Sequence, residues 1–184
     1  MTKFEKLETE IAGVSIVKHH QVQDHRGSFS EQFNSSVFQE FINATIEVKQ
    51  LNFSRSFLGV VRGIHFTVEG DQLFKFVRCT KGAVYDVAID FRKNSPTYGQ
   101  KAIFELRADK TQSLIIPPGV GHGFQSLSEG AELSYLVTSQ YDPLLEVTIN
   151  PLDPDLKLDW PVNDLILSEK DRNGISFLDY TRNL

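Results

Sequence analysis

The run Arg62-Gly63-Ile64-His65-Phe66 sets a guanidinium and an imidazole within one short apolar segment, with Lys75 ten residues on and His122 in a second such segment. An imidazole that titrates near neutrality beside fixed cations suits proton abstraction from an anionic substrate. Arg62 and His65 lie three apart, so a regular strand would point them to opposite faces. A bulge or bend at Gly63 would bring both to one cavity. The chemistry these residues could do therefore depends on the elements that carry them.

Those elements read as short strands. Candidate strands cover residues 13–17, 46–54, 59–66, 74–79, 83–91, 100–106, 113–116, 121–126, 131–138 and 146–149. Several alternate with period two, as in Val84, Asp86, Ala88 and Asp90 against Tyr85, Val87, Ile89 and Phe91. Turn signals part them at Lys81-Gly82, Asn94-Ser95-Pro96, Pro117-Pro118-Gly119 and Ser128-Glu129-Gly130. Many short strands at this spacing predict an all-β sandwich or barrel. One helix is expected at 35–41, capped by Ser35 or Ser36 with Val37, Phe38 and Phe41 as its apolar face, and short helical turns are expected between 164 and 184.

Composition narrows the class. The chain has 184 residues, 40% hydrophobic and 23% charged, which suits one globular domain over residues 1–184 with a sizeable core. Cys79 has no second cysteine to pair with, so a reducing, cytoplasmic setting is expected. The opening Met1-Thr2-Lys3-Phe4-Glu5-Lys6 lacks the apolar core of a signal peptide, and no apolar run approaches the length that spans a membrane. A net charge of −5 argues against nonspecific nucleic-acid binding, while local basic clusters can still hold phosphate.

A set of motifs then becomes recognisable. Asp24-His25-Arg26-Gly27-Ser28-Phe29-Ser30-Glu31, Gln50-Leu51-Asn52-Phe53-Ser54 and Gly59-Val60-Val61-Arg62-Gly63-Ile64-His65-Phe66 come first. Lys75-Phe76-Val77-Arg78-Cys79, Asp86-Val87-Ala88-Ile89-Asp90-Phe91-Arg92 and Ser95-Pro96-Thr97-Tyr98-Gly99 follow. Ile116-Pro117-Pro118-Gly119, Gly121-His122-Gly123-Phe124, Asp159-Trp160-Pro161 and Leu167-Ser168-Glu169-Lys170-Asp171 close the series. In order and at compatible spacing, they make the chain resemble the dTDP-4-dehydrorhamnose 3,5-epimerase family, dimeric enzymes of cupin type.

The resemblance implies a jelly-roll barrel or sandwich and a nucleotide-linked 4-keto-6-deoxy sugar as substrate. A ketone at C4 acidifies the hydrogens at C3 and C5, so a base and an acid on opposite faces invert either centre without redox, and no nicotinamide or flavin is needed. By resemblance His65 is the base, Asp171 its orienting carboxylate, Tyr135 the proton donor and Lys75 the cation beside the C4 oxygen. Arg26 and Arg62 match diphosphate-binding positions, and Gln50, Asn52 and Glu146 match positions that fix the nucleotide. Glu31 matches a binding carboxylate, Tyr141 an aromatic that stacks on thymine, His122 a site-lining imidazole and Lys170 a binding cation. N-terminal residues in this family complete the partner subunit's site, so Arg26 and Glu31 are expected to serve a second chain.

No metal is expected. The metal-binding cupin pattern wants a second histidine two residues after the first, where this chain has Thr67, leaving only the dispersed Glu69 and His122. Thr67 also departs from the family, many of whose members have Gln there, and the familiar Gln shortly before the lysine is missing from residues 68–74. Residues 147–155 look more like branches that make unusual deoxysugars, some of which invert only C3 or only C5. Three readings stand at this point: a 3,5-epimerase, a single-centre epimerase of a related nucleotide sugar, and a non-catalytic sugar-binding cupin.

Overall fold

The structure, a computed structural model, describes residues 3–68 and 72–182. Its strands in chain order are β1 (Phe4–Glu8), β2 (Ser15–His19), β3 (Val22–Asp24), β4 (Gly27–Phe29), β5 (Gln50–Ser56), β6 (Val61–Thr67) and β7 (Lys75–Lys81). They continue with β8 (Ala83–Asp90), β9 (Lys101–Arg107), β10 (Gln112–Ile116), β11 (Val120–Ser126), β12 (Ala131–Val137) and β13 (Glu146–Thr148). Helix α1 spans Ser35–Ile42, and the short helices α2 (Glu169–Arg172) and α3 (Phe177–Arg182) close the chain.

Two antiparallel sheets form the sandwich the period-two pattern called for. One has the order β1-β2-β10-β7-β12-β5 and the other β13-β6-β11-β8-β9, with β3-β4 as a separate hairpin. Apart from β1-β2 and β8-β9, neighbours in the sheets are distant in sequence, so the fold is the jelly-roll kind of crossover and not a simple meander. Val77, Cys79, Leu114 and Leu133 of the first sheet meet Val84, Ala88 and Phe124 of the second to make the inner core.

Both outer faces are also covered, which is why β8 is buried along its whole length apart from Tyr85. On one side Phe66, Val87, Ile89 and Phe91 pack against Leu156, Trp160, Phe177 and Tyr180 of the C-terminal arm. On the other, Phe38 of α1 fits among Phe4, Val17, Phe76 and Ile115. Among the described residues no helix is long and apolar enough to cross a membrane.

Several boundaries differ from the sequence reading for local reasons. The cap of α1 is Asn34, whose extended backbone lets its Oδ1 accept from the Val37 N–H at 3.4 Å, so Ser35 and Ser36 lie inside the first turn. Residues 46–49 are not strand: Ile46 is buried under α1, its carbonyl accepting from Gln39, and the chain joins the sheet only at Gln50. Strand β1 and the β3-β4 hairpin had no β-branched run to announce them; β1 is defined by its register with β2, Phe4 opposite His19 through Glu8 opposite Ser15.

Candidate active site

The question left open at Gly63 is settled by register. His65 pairs with His122 and Arg62 with Phe124, so three steps along β6 match two along β11. That one extra residue turns Arg62 and His65 to the same cavity. Only glycine fits the corner. Gly63 has a φ of 107°, and a Cβ there would lie 2.6 Å from both the Gly123 Cα and the His122 carbonyl oxygen.

Two histidines thus face each other across β6 and β11, each held by a carboxylate. His65 Nε2 is 2.6 Å from Asp171 Oδ1, and His122 Nε2 is 2.8 Å from Asp86 Oδ2. The first pair joins residues 106 apart in sequence. Ser168 caps α2 by accepting from the Asp171 N–H at 3.1 Å, which fixes that carboxylate against the imidazole. Burial works to raise the Asp171 carboxyl, but the hydrogen bond and charge of His65, the Ser168 bond and the Lys170 charge together outweigh it and hold the group below the usual range. Nε2 of His65 is therefore committed to Asp171, and Nδ1 is the ring nitrogen left to accept a proton.

Cations and a phenol surround His65. The Lys75 ammonium donates to the His65 carbonyl at 3.0 Å. Burial lowers Lys75 to about 8, with the carboxylates of Glu146 and Asp86 opposing that fall. Asp86 is itself fully buried, and burial raises its carboxyl despite the neighbouring His122 and Lys75. Tyr135 stands on β12 of the opposite sheet; burial raises its phenol, with Arg62 acting against the shift, so it stays protonated and able to give a proton.

The mouth of the cavity, about 320 Å³ in volume, is built from β5, β13 and α2. Gln50 and Asn52 point in from β5, and the Gln50 side-chain oxygen accepts from the Tyr141 N–H at 3.0 Å. Lys170 is bonded to Glu146 and lies 5.8 Å from the centre of the Tyr141 ring. Burial lowers the Lys170 ammonium, and the contacts with Glu146 and Tyr141 together more than reverse it. Arg62, held at 3.1 Å by the Ser56 hydroxyl, joins Lys170 as a second cation at an opening with one aromatic plate.

Eleven of the thirteen site residues read from sequence line this cavity: Gln50, Asn52, Arg62, His65, Lys75, His122, Tyr135, Tyr141, Glu146, Lys170 and Asp171. Arg26 and Glu31 do not. Arg26 sits on the exposed β3-β4 hairpin, paired with Asp24 at 2.5 Å, and Glu31 bonds to Asn34 and Lys3, each at 3.0 Å. Sequence reading passed over Asp86 and Ser168 as functional. A carboxylate in register with Val84 and Ala88 on the core-facing side of β8 was the available signal for the first, and a serine capping α2 for the second. Glu69, weighed above as a metal ligand, lies outside the described residues. Among the described residues no three histidine, cysteine, aspartate or glutamate side chains converge as a metal site would require.

A jelly-roll sandwich with a histidine–carboxylate pair, a tyrosine on the opposite sheet and a cationic rim defines a cupin-type sugar isomerase. The model of the dTDP-4-dehydrorhamnose 3,5-epimerase family matches residues 8–179, and the chain belongs to that family. It is 41% identical over 173 residues to the dTDP-4-dehydrorhamnose 3,5-epimerase of Shigella flexneri, covering 94% of this chain and 96% of the relative. A dTDP-4-dehydrorhamnose 3-epimerase of Streptomyces niveus is 39% identical, covering 90% of this chain and 80% of that one. The crystal structure of a dTDP-6-deoxy-D-glucose-3,5-epimerase from Legionella pneumophila, in complex with dTDP-4-keto-L-rhamnose, superposes with a TM-score of 0.88 at 36% identity over 94% of this chain and 92% of that one.

Proposed function

We propose that this protein converts dTDP-4-keto-6-deoxyglucose to dTDP-4-keto-rhamnose by inverting C3 and C5. The observation that carries the reading is the His65–Asp171 pair set across the cavity from Tyr135 with Lys75 beside it. Nδ1 of His65 takes the proton from a carbon next to the ketone, and the bonding electrons move into the C4 carbonyl as an enolate. Asp171 stabilises the imidazolium that results, at 2.6 Å. The Lys75 ammonium offsets the charge on the enolate oxygen. As the enolate collapses, Tyr135 gives a proton to the opposite face of the same carbon, and the centre is inverted without gain or loss of electrons.

Binding follows the same geometry. The diphosphate takes the guanidinium of Arg62, the nucleoside meets Gln50, Asn52 and Glu146, and the base stacks on Tyr141 beside Lys170. His122, held by Asp86, lines the sugar's side of the cavity. Arg26 and Glu31 serve the site of a second subunit, which makes the active form a homodimer. The β3-β4 hairpin supports this: it is exposed along both strands, Phe29 is 73% exposed, and a lone two-stranded hairpin is marginal in water without something to dock on. Leu51 and Phe53, also exposed, line the β5 edge where such docking would bury them.

Turnover in deuterium oxide, followed by proton NMR of the product, tests the reading. Deuterium at both C3 and C5 with inversion at both is expected. Inversion at one centre alone would make it a single-centre epimerase like the Streptomyces niveus relative, and no exchange with the dTDP-4-keto sugar would dismiss the catalytic reading.

A further inference from the structure

Thr67 and Ser54 both line this cavity with buried hydroxyls the reaction above leaves unused, and Thr67 is the one that shares a strand with His65. It follows His65 by two on β6 and so stands on the same face of the strand, and it lines the cavity. The residue is only 8% exposed, and its hydroxyl is buried without a hydrogen-bond partner. A buried hydroxyl left unpaired is destabilising, so its retention calls for a partner that arrives from elsewhere. Among the described residues none supplies it: Glu146, its register partner on β13, is already engaged by Lys170.

We infer that Thr67 is a specificity residue whose hydroxyl donates a hydrogen bond to an oxygen of the bound keto sugar, an inference that rests on the function proposed above. Rotation about the Cα–Cβ bond exchanges methyl and hydroxyl at the cavity wall, which is the movement needed to present the donor. The ligand atom is assigned to the sugar because of what flanks Thr67. His65 lies two residues away on the same face, and Lys75 bonds the His65 carbonyl. Both act on the carbons and oxygen of the ketone, so an oxygen of that ring is what comes within reach.

Thr67→Val keeps the shape and removes the donor. Three readouts separate the possibilities. The ligand-free variant should melt no lower than the wild type, because the change deletes an unpaired buried hydroxyl. Its KM for dTDP-4-keto-6-deoxyglucose should rise about 3- to 10-fold with kcat within about twofold, as expected for loss of one neutral hydrogen bond. Binding of dTDP alone should be unchanged, and Thr67→Ser should restore the KM. An unchanged KM in Thr67→Val overturns the inference. So does equal weakening of dTDP, which would put the hydroxyl against the nucleotide, and so does a KM rise that Thr67→Ser fails to reverse. Wild-type enzyme that neither binds dTDP nor turns over the sugar would instead dismiss the underlying function.

Discussion

Replacing Asp171 by Asn should separate catalysis from binding. The carboxylate is 4% exposed, accepts from His65 Nε2 at 2.6 Å, and is held by the Ser168 cap on α2. The amide keeps the volume and loses the charge. If its oxygen faces the ring, a charge-assisted bond becomes a neutral one of about half the strength, and the imidazolium formed on proton abstraction loses its counter-charge. If its NH2 faces the ring, Nε2 must become the acceptor and Nδ1 takes the proton, so the nitrogen facing the cavity can no longer act as base. Either outcome acts on kcat. The loss should be about 10²–10⁴-fold in kcat/KM, the range for removing a general base or the carboxylate behind one. dTDP affinity should stay within about threefold, since the nucleotide contacts are elsewhere. Steady-state kinetics with calorimetric titration of dTDP measures both. Retention of more than about a tenth of wild-type kcat/KM would refute the reasoning, as would a parallel loss of dTDP binding. Stability gives an independent check. The Asp171 carboxyl is held below its ordinary value, so it contributes stability above the unfolded carboxylate's pKa, lost as pH falls through the folded one. The deficit of Asp171→Asn relative to wild type should accordingly shrink toward acid pH.

Because burial brings Lys75 to about 8, kcat/KM should decline as pH rises through that value, and Lys75→Arg should remove this alkaline limb if it retains activity. The same group lowers stability at neutral pH, where the unfolded chain binds its proton more tightly than the folded one; Lys75→Met should raise Tm at pH 7 while abolishing turnover. Gly63→Ala should cost on the order of 3 kcal/mol, or about 10 °C in Tm, because the φ of 107° and the 2.6 Å approach to Gly123 leave no room for a methyl; a shift under about 2 °C in thermal melting would contradict it. Mixing Arg26→Ala with His65→Asn chains, each nearly inactive alone, should restore about a quarter of wild-type sites, because half the dimers are mixed and each carries one intact site. No recovery would place Arg26 in the site of its own chain.

Much of the site was legible in the sequence because chemistry is carried by residue type and motif order. Arg62, His65, Lys75, His122 and Tyr135 sit on strands whose apolar alternation marks them as strands, and eleven of the thirteen residues singled out line the cavity. Local pattern also predicted the all-β class, since period-two runs bounded by glycine and proline turns admit little else. What stayed hidden was set by contacts between distant segments. The His65–Asp171 bond closes over 106 residues and could be anticipated only by resemblance, because nothing local says where a C-terminal helix will dock. Asp86 looked like one of two acidic residues on an alternating strand; its burial behind His122 depends on β11 pairing beside β8 and on the opposite sheet closing over the core-facing side of β8. Strand β1 and the β3-β4 hairpin exist through pairing that propensity does not encode, and Arg26 and Glu31 match site motifs yet stand outside the cavity. The sequence by itself determined most of the strands, the reactive groups and the need for glycine at the bulge. The tertiary structure decided which carboxylate orients which imidazole and which matched residues stand clear of the cavity, because hydrogen bonding and burial depend on distances that only the packed sheets define.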